Sequence, residues 1–500
     1  MNRLLLILLC SMLPVALLQA GRGDIVSFTL METKTVAELE AEAVASTGFP
    51  ASLFGFEYDI AAYKVAYETV DYDGISPTIA TALVSFPTNY PCAPPMGTYG
   101  HGLALKHYEA PSSLNNIYSF IGKGIASNGY ISLTPDYIHM GYDASPGFQA
   151  FMHATTEAAA TIDLIRATRT YCQNNGIDYN SQLFISGYSQ GGHSSMATCK
   201  AIQELHPDEF TITAAMPGGG TYDLSGIAAD SLASPTRITG EPHALCLISR
   251  AYYEVYQQDL VDMGLTTPFF DYFKSPYDSL LTLILDANNP FANTSLLDSI
   301  PNRMLKDEYR EEFLNDPDFW MRHFLAENDL YDWSPQMQMR LFHSDADVEN
   351  PFPNVLFTLD QFQNNGATNV ELQTVSGFSH SNAGLYHALA LRQWFGTLRE
   401  SCSVGIHQET AELSKAVAYP NPFSDVCLID LSKVNVGVSR WEVLNVQGLV
   451  VQSGVVKPEQ RQIAITPAKG IGNQLFVVVL YAANNKHIGI PVLYQQSINR

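Results

Sequence analysis

The chain has 500 residues, 46% of them hydrophobic and 15% charged. This is more than one hydrophobic core accommodates, so two or more packed units are expected. Its 27 Lys and Arg residues stand against 50 Asp and Glu, a formal net charge of −23. Such an acidic surface repels phosphate backbones and anionic headgroups, which argues against nucleic acid as a partner.

Residues 1–20 have the features of a secretory signal peptide. Arg3 precedes an apolar stretch that ends at Ala20, the small residue that signal peptidase needs. The stretch is too short to span a bilayer comfortably, and its alternative interpretation is a buried core helix. Since no other stretch approaches a membrane span, we expect the mature chain to be exported without a transmembrane segment and to be secreted or held at the cell surface.

Export places the cysteines in an oxidising compartment. The chain has seven cysteines, and removal of Cys10 with the signal peptide leaves six. An even number permits up to three disulfides, but the spacing selects no pairing, and buried unpaired thiols are the alternative. The six are Cys92, Cys172, Cys199, Cys246, Cys402 and Cys427.

The first predicted elements form a hairpin, in which residues 57–70 and 77–86 are partly alternating runs around Asp73 and Gly74. After it, short apolar runs alternate with helical stretches such as 153–173, and this alternation predicts a mostly parallel sheet with helices on both faces. A final helix is predicted at 383–398. The apolar runs are 96–99, 130–134, 182–186, 211–216, 337–342 and 369–375.

A candidate nucleophile follows one of these runs. Residues 187–192 read Gly-Tyr-Ser-Gln-Gly-Gly, between an apolar strand and a helix. Gly187 and Gly191 permit a sharp turn from which Ser189 projects, whereas the alternative is a glycine-rich turn with an exposed serine. A serine hydroxyl is a poor nucleophile until a base takes its proton, so a histidine and an acid are expected further along the chain.

Residues of both types follow, the acid before the histidine. The strand at 337–342 leads into a loop with Asp345, Asp347 and Glu349, each of which could orient an imidazole. His380 follows the next strand and is the candidate base. His387, inside the final helix, is the alternative, although a buried or surface histidine is the commoner explanation there.

Catalysis at a carbonyl also needs two backbone N–H groups that stabilise an oxyanion. Gln190, after the serine, supplies the first, and Leu103, in the glycine-rich segment 97–103, is expected to supply the second. His101 in that segment is interpreted as a loop histidine that packs beside the site. The 13 histidines show no HExxH pattern, and neither a metal nor a cofactor is expected.

Residues 222–335 interrupt the alternation, and a segment of this length should fold as a subdomain. Its aromatic residues are expected either to line an apolar pocket above Ser189 or to form the subdomain core. These residues are Tyr252, Tyr253, Phe269, Phe270, Phe319 and Trp320.

The last part of the chain differs in composition. Residues 403–415 are polar and are expected to be a linker, and 416–500 contain short β-type runs broken by Gly and Asn. These runs predict a separate small β-sandwich. Because no candidate catalytic residue lies there, the chemistry is not expected to depend on this part.

Four stretches carry a family resemblance. They are 99–102, 128–141, 158–167 and 187–193. Through them the chain, over roughly residues 55–400, resembles the α/β-hydrolase superfamily and, within it, bacterial relatives of the secretory lipases and esterases. The resemblance implies an α/β-hydrolase domain at 21–402, with 222–335 as a helical lid.

The same resemblance implies cleavage of a small-molecule ester or a lipid through Ser189, His380 and an acid. It favours Asp347 because Pro351 follows it by four residues, as in the acid loop of these hydrolases. The sequence Val-Glu-Asn-Pro departs from their more usual Val-Pro ending. Two alternatives stay open, namely a serine peptidase on the same fold and a non-catalytic surface binding or adhesion protein on a hydrolase scaffold.

The tail carries a second resemblance. Residues 419–425 read Tyr-Pro-Asn-Pro-Phe-Ser-Asp, and with the runs at 443–448 and 475–478 they are similar to the C-terminal sorting domain of the type IX secretion system of Bacteroidetes. The resemblance implies export across the outer membrane, with the secretion machinery as a partner. The alternative is an immunoglobulin-like module that binds carbohydrate or a protein partner.

Overall fold

The computed structural model describes most of the chain after the predicted signal peptide. The described residues are 21–290, 293–401, 415–434, 437–445, 449–466, 474–482 and 487–495. The predicted signal peptide at 1–20 and nearly all of the predicted linker at 403–415 therefore lie outside the described residues.

A nine-stranded sheet forms the centre of the molecule. The strands are β1 (Ile25–Lys34), β2 (Ile60–Val70), β3 (Pro77–Pro87), β4 (Met96–Gly100), β5 (Ile131–Ile138), β6 (Leu183–Tyr188), β7 (Ala214–Gly218), β8 (Gln338–Ser344) and β9 (Val370–Val375). Their order is β1-β2-β3-β5-β4-β6-β7-β8-β9. Strands β4 to β9 are parallel, whereas β1, β2 and β3 pair in antiparallel fashion. The sheet is thus mixed and mostly parallel, as the alternation predicted.

The predicted hairpin is present. Strands β2 and β3 pair along their whole length, from Ile60 opposite Pro87 to Val70 opposite Pro77. In the turn, the Asp73 carboxylate accepts backbone N–H groups two and three residues later, at 2.9 and 2.7 Å. Strand β1 was not predicted, although Val26, Phe28 and Leu30 alternate there with Ser27 and Thr29.

Helices cover both faces of the sheet. They are α1 (Val36–Thr47), α2 (Ile117–Ser127), α3 (Ala154–Asn175), α4 (Gln190–Leu205), α5 (Ala229–Ala233), α6 (His243–Val255), α7 (Gln257–Asp262), α8 (Tyr277–Ile284), α9 (Asp307–Asn315), α10 (Trp320–Ala326), α11 (Phe352–Asn364) and α12 (His380–Leu398). Ile162 of α3, Met196 of α4 and Val355 of α11 belong to one core cluster. Helices α2 and α12 pack on the opposite face, where Leu391 and Phe395 are buried.

The segment between β7 and β8 holds helices α5 to α10 and has a core of its own. Its buried residues include Leu245, Phe313 and Trp320, and they also contact Met152, which precedes α3. Burying a large apolar side chain contributes about 1.5–3 kcal/mol, so this cluster stabilises the packing of the segment's helices on one another and on the sheet. We call it the insertion.

The tail forms two small antiparallel sheets. Their strands are β10 (Val417–Tyr419), β11 (Cys427–Asp430), β12 (Val438–Leu444), β13 (Val450–Val455), β14 (Gln462–Ile465), β15 (Gln474–Ala482) and β16 (His487–Tyr494). The orders are β10-β11-β14 and β13-β12-β15-β16, and Ile429, Ile463, Val478 and Val492 from the two sheets share one apolar cluster.

Another face of β15 packs against the rest of the chain. Leu475, Val477 and Val479 share a cluster with Leu53 and Leu389. The second tail sheet therefore buries apolar residues on both of its faces, one against its partner sheet and one against the N-terminal segment and α12.

Among the cysteines in the described part of the chain, Cys172, Cys199, Cys246 and Cys427 are buried free thiols. Cys92 is disulfide-bonded. Among the helices in the same residues, none combines the length and the apolar character needed to cross a membrane.

Candidate active site

Ser189 stands in the turn between β6 and α4, with φ 62° and ψ −120°. A positive φ is rare for a residue with a side chain, and here glycines around it make the turn possible. A Cβ on Gly187 would lie 2.4 Å from the carbonyl oxygen of Gly191, and a Cβ on Gly191 would lie 1.9 Å from that of Gly100. The sequence spacing of these glycines thus follows from the close approach of the turn to β4.

The structure brings Ser189, His380 and Asp347 together. His380 Nε2 lies 2.8 Å from Ser189 Oγ, and its Nδ1 lies 2.6 Å from Asp347 Oδ2. With the ring proton on Nδ1, the serine hydroxyl donates to Nε2 and the imidazole donates to the carboxylate. His380 begins α12, and the backbone carbonyl of His380 accepts a hydrogen bond of 2.7 Å from the Tyr188 hydroxyl. This arrangement can pass a proton from the serine to the imidazole.

The three acidic candidates have different partners. Asp347 uses Oδ1 to accept the N–H groups of Glu349 and Asn350, both at 2.9 Å, which aims Oδ2 at the histidine. Asp345 accepts Ser376 Oγ–H at 2.5 Å and the Gly377 N–H at 2.8 Å, and it is exposed.

Glu349 accepts the hydroxyl of Thr239 and the Gly240 N–H, so it holds the acid loop to the insertion. The carboxylate in contact with His380 is therefore that of Asp347.

The environment of His380 favours its charged form. Burial lowers the pKa of the imidazole, but the hydrogen bond and the charge of Asp347 outweigh burial, with smaller help from Glu241 and Glu349. The net result is a His380 pKa above its usual value.

Two other histidines, His387 and His101, lie near the serine in the sequence-based site, and both have partners outside this arrangement. His387 donates from Nε2 to the Met216 carbonyl at 3.0 Å, and burial lowers its pKa to about 4. His101 is buried and donates from Nδ1 to the Gly102 carbonyl at 2.6 Å. Neither ring is hydrogen-bonded to Ser189, whose hydroxyl contacts His380.

The two predicted oxyanion donors flank the serine. Gln190 is the first residue of α4, so its N–H has no acceptor within the helix. A Cβ on Gly102, just before Leu103, would lie 3.4 Å from Ser189 Cβ. The Leu103 carbonyl accepts the Tyr118 hydroxyl at 3.1 Å, which holds this loop beside the serine. Their role as oxyanion donors stays a prediction.

Glu157 is a site residue that sequence reasoning missed. It is buried beneath α4, and its carboxylate contacts His193 Nδ1 at 2.7 Å and accepts from Gln190 Nε2 at 2.9 Å. The carboxylate thereby holds the start of α4, where the serine turn ends. A signal was available, since an acidic residue within the apolar stretch of a predicted helix needs a buried partner.

Glu241 is the second residue that was missed. It lines both cavities that reach Ser189 and faces His380. Burial raises the pKa of its carboxyl, and the charge of His380 opposes that rise. It lies in the insertion outside any motif, so no sequence signal pointed to it.

Two cavities of unequal size meet at Ser189. The larger has a volume of about 710 Å³ and lies between α2 and α12. The smaller has about 60 Å³ and lies under the insertion. The six aromatic residues of the insertion line neither one and pack in the insertion's own cluster, so the prediction that they line a pocket is wrong for these two cavities. In the described parts of the chain, no three His, Cys, Asp or Glu side chains are grouped as metal ligands.

A family model and several solved structures are similar to this chain. The family model described as secretory lipase matches residues 117–234, a segment that includes Ser189 and Gln190. No curated protein matches the chain by sequence.

Solved structures share the fold. The chain is similar to a protein from Legionella pneumophila with a TM-score of 0.66 and 20% identity, over 76% of this chain and 100% of that one. It is similar to the rice cell wall degrading esterase LipA from Xanthomonas oryzae with a TM-score of 0.64 and 21% identity, over 76% of this chain and 100% of that one. It is also similar to lipase A from Candida antarctica with a TM-score of 0.54 and 16% identity, over 76% of this chain and 84% of that one. This chain therefore has the α/β-hydrolase fold.

Proposed function

We propose that the protein is a serine hydrolase that cleaves carboxylic esters. The observation that carries the proposal is the continuous hydrogen-bonded path from Ser189 Oγ through His380 to Asp347, at the place where two cavities meet. The secretory lipase model and the names of the similar structures, an esterase and a lipase, support an ester as the substrate.

In the proposed reaction, Ser189 Oγ attacks the ester carbonyl while His380 Nε2 takes the hydroxyl proton. The N–H groups of Gln190 and Leu103 stabilise the oxyanion. The tetrahedral intermediate collapses, the alcohol leaves with the proton from His380, and an acyl-serine remains. A water molecule then gives its proton to His380 and attacks the acyl carbonyl, which releases the acid and restores the serine.

Asp347 acts through the imidazole. Its carboxylate accepts Nδ1–H, so the ring keeps Nε2 free for the serine proton, and it stabilises the imidazolium that forms in each step. The two backbone N–H groups on its other oxygen keep the carboxylate in this orientation.

The domain arrangement is part of the proposal. We assign 1–20 to a signal peptide, 21–402 to the hydrolase domain with 222–335 as its lid, and 403–415 to a linker. The two tail sheets, within 416–500, are proposed to form a sandwich that serves as a sorting domain for outer-membrane export. The shared cluster of Ile429, Ile463, Val478 and Val492 supports the sandwich.

The proposal is tested by Ser189→Ala. We expect this variant to lose hydrolysis of p-nitrophenyl butyrate by roughly 10⁴- to 10⁶-fold and to lose labelling by a fluorophosphonate. Ser195→Ala is the control, since its hydroxyl donates within α4 to Gly191 at 2.6 Å and should leave labelling in place. Hydrolysis of peptidyl p-nitroanilides but not of esters would instead support a peptidase, and activity in Ser189→Ala would refute the nucleophile.

A further inference from the structure

We infer that the acyl chain of the ester lies between α2 and α12 rather than under the insertion, and that residues of the tail form part of this acyl site. The inference rests on the proposed ester hydrolysis and adds the place of the acyl group. The 710 Å³ space between these helices is called the interhelical cavity below, and the 60 Å³ space is called the insertion cavity.

Volume decides between the two spaces. The interhelical cavity, of about 710 Å³, is roughly twelve times as large as the insertion cavity, of about 60 Å³. The interhelical cavity has the volume of a site for a drug-sized ligand. Both reach Ser189, but only the larger accommodates a chain of many methylenes without movement of the insertion.

The chemistry of the walls points the same way. Apolar residues of α2 and α12 line the interhelical cavity, among them Phe120, Ile125, Leu385 and Leu389. The insertion cavity has a mixed lining, with polar residues such as Arg237, Glu349 and Asn350 beside apolar ones such as Phe151, Leu224 and Ile248. An acyl chain gains free energy by leaving water for apolar walls, whereas a hydroxyl-bearing alcohol finds hydrogen-bond partners on the other side of the serine.

Two small residues of α12, Gly384 and Ala388, line the interhelical cavity. His380, Gly384, Ala388 and Arg392 all line it at four-residue spacing, so they lie on one face of the helix. Twelve residues of helix rise about 18 Å, and this face leads away from the reacting serine. Gly124 lines the facing wall on α2. Larger side chains at these positions would fill the space.

The tail contributes to the same cavity. Gln474 and Leu475 at the start of β15 line it. Leu475 is buried in a cluster with Leu53, Phe54, Phe120 and Leu389, which includes residues from both walls. The first residues of β15 therefore cover part of the acyl site, although the proposed chemistry lies entirely within the hydrolase part of the chain.

The test uses the full chain and one substitution in each cavity. Ala388→Phe places a ring in the interhelical cavity, and Ala244→Phe places the same ring in the insertion cavity, which Ala244 lines. kcat/KM is measured on p-nitrophenyl esters from acetyl to hexadecanoyl. For the unsubstituted chain we expect kcat/KM to rise about three- to fourfold per methylene until the cavity is full.

We expect Ala388→Phe to lower the ratio of decanoyl to butyryl kcat/KM by about tenfold or more, since a ring displaces several methylenes. Ala244→Phe should lower kcat/KM for all chain lengths in parallel, because the same alcohol is present throughout. A ratio that falls in Ala244→Phe and is unchanged in Ala388→Phe would place the acyl chain under the insertion and overturn the inference. So would an unsubstituted chain with no preference for acyl length.

Two further variants test the inference if Ala388→Phe fails to fold. Gly124→Leu narrows the cavity from α2 and should lower the same ratio, whereas Leu475→Ala should move the preferred chain length upward by enlarging the space at β15. An unchanged preference for acyl-chain length in Leu475→Ala would show that the tail does not form part of the acyl site. Absence of ester hydrolysis in the unsubstituted chain would instead refute the proposed function, so failure of the function and failure of the acyl-site inference are distinguishable.

Discussion

Asp345 and Asp347 are two residues apart, yet they orient different groups. Asp347 holds His380 at 2.6 Å, whereas Asp345 holds the loop at Ser376 and Gly377. From the sequence either carboxylate could serve, because both leave β8 in a loop whose course depends on long-range contacts.

This difference gives a residue-scale prediction for the proposed triad. Asp347→Asn should reduce kcat on a short ester by roughly 10⁴-fold, because the amide favours the wrong imidazole tautomer. Asp345→Asn is the matched control, with a much smaller effect since its partners lie outside the proton path. Steady-state kinetics of both variants measure these effects. A larger loss of kcat in Asp345→Asn than in Asp347→Asn would refute the assignment of Asp347.

A second residue-scale prediction concerns pH. His380 must be neutral to accept the serine proton, and its pKa lies above the ordinary value of about 6.5. We therefore expect kcat/KM to reach its maximum at alkaline pH and to fall as the pH drops through a value above about 6.5. The measurement is the pH profile of kcat/KM, which reports the free enzyme.

Removing the groups that raise this pKa should move the acidic limb to lower pH. Asp347→Asn leaves burial to act with less opposition, so the limb of the residual activity should shift downward. Glu241→Gln should produce a smaller shift in the same direction, because Glu241 acts on His380 through charge alone. An upward shift in either variant would contradict this electrostatic account.

At the scale of elements, the turn from β6 to α4 depends on the absence of side chains. Gly191→Ala would place a Cβ 1.9 Å from the Gly100 carbonyl oxygen, so β4 and α4 would have to separate. We expect the free energy of unfolding to fall by about 1–3 kcal/mol or more, as in other overpacked cores, together with a loss of activity.

The matched control is Gly396→Ala in α12. A Cβ there has no heavy atom within 4 Å, and alanine is the better helix former. The substitution should raise the free energy of unfolding by about 0.5–1 kcal/mol. Urea unfolding of both variants tests the pair, and equal effects would show that the close approach of Gly191 to Gly100 has no energetic importance.

At the scale of the whole molecule, the tail packs on the hydrolase part through β15. Leu475, Val477 and Val479 are buried there, and burial of each contributes about 1.5–3 kcal/mol. A chain that ends at Glu400 should keep hydrolysis of an acetyl ester, because Ser189 and its partners remain. Its free energy of unfolding should be lower by roughly 3 kcal/mol or more, because the clustered residues become exposed.

Urea unfolding and acetyl ester kinetics of the shortened chain measure these effects. An unchanged unfolding free energy would show that the contact with β15 has no importance for stability. If the proposed sorting role of the tail is right, the shortened chain should also stay inside the native cell, and its normal export would refute that role.

Local patterns in the sequence determined the parts of this protein that depend on near neighbours. The hairpin around Asp73, the turn at Ser189 and the position of His380 after a strand could be predicted, because turn geometry and strand periodicity are decided within a few residues. The two tail sheets likewise follow from short β-type runs.

Only the tertiary structure decided what depends on residues distant in the chain. The partner of His380, the position of Glu241 and the packing of the insertion's aromatic residues are set by contacts between separate elements. The interhelical cavity is the clearest case, since residues of α2, α12 and β15, which are distant in the chain, line it together. No local pattern reports how two helices some 260 residues apart will meet, since that distance is set by the packing of the whole core.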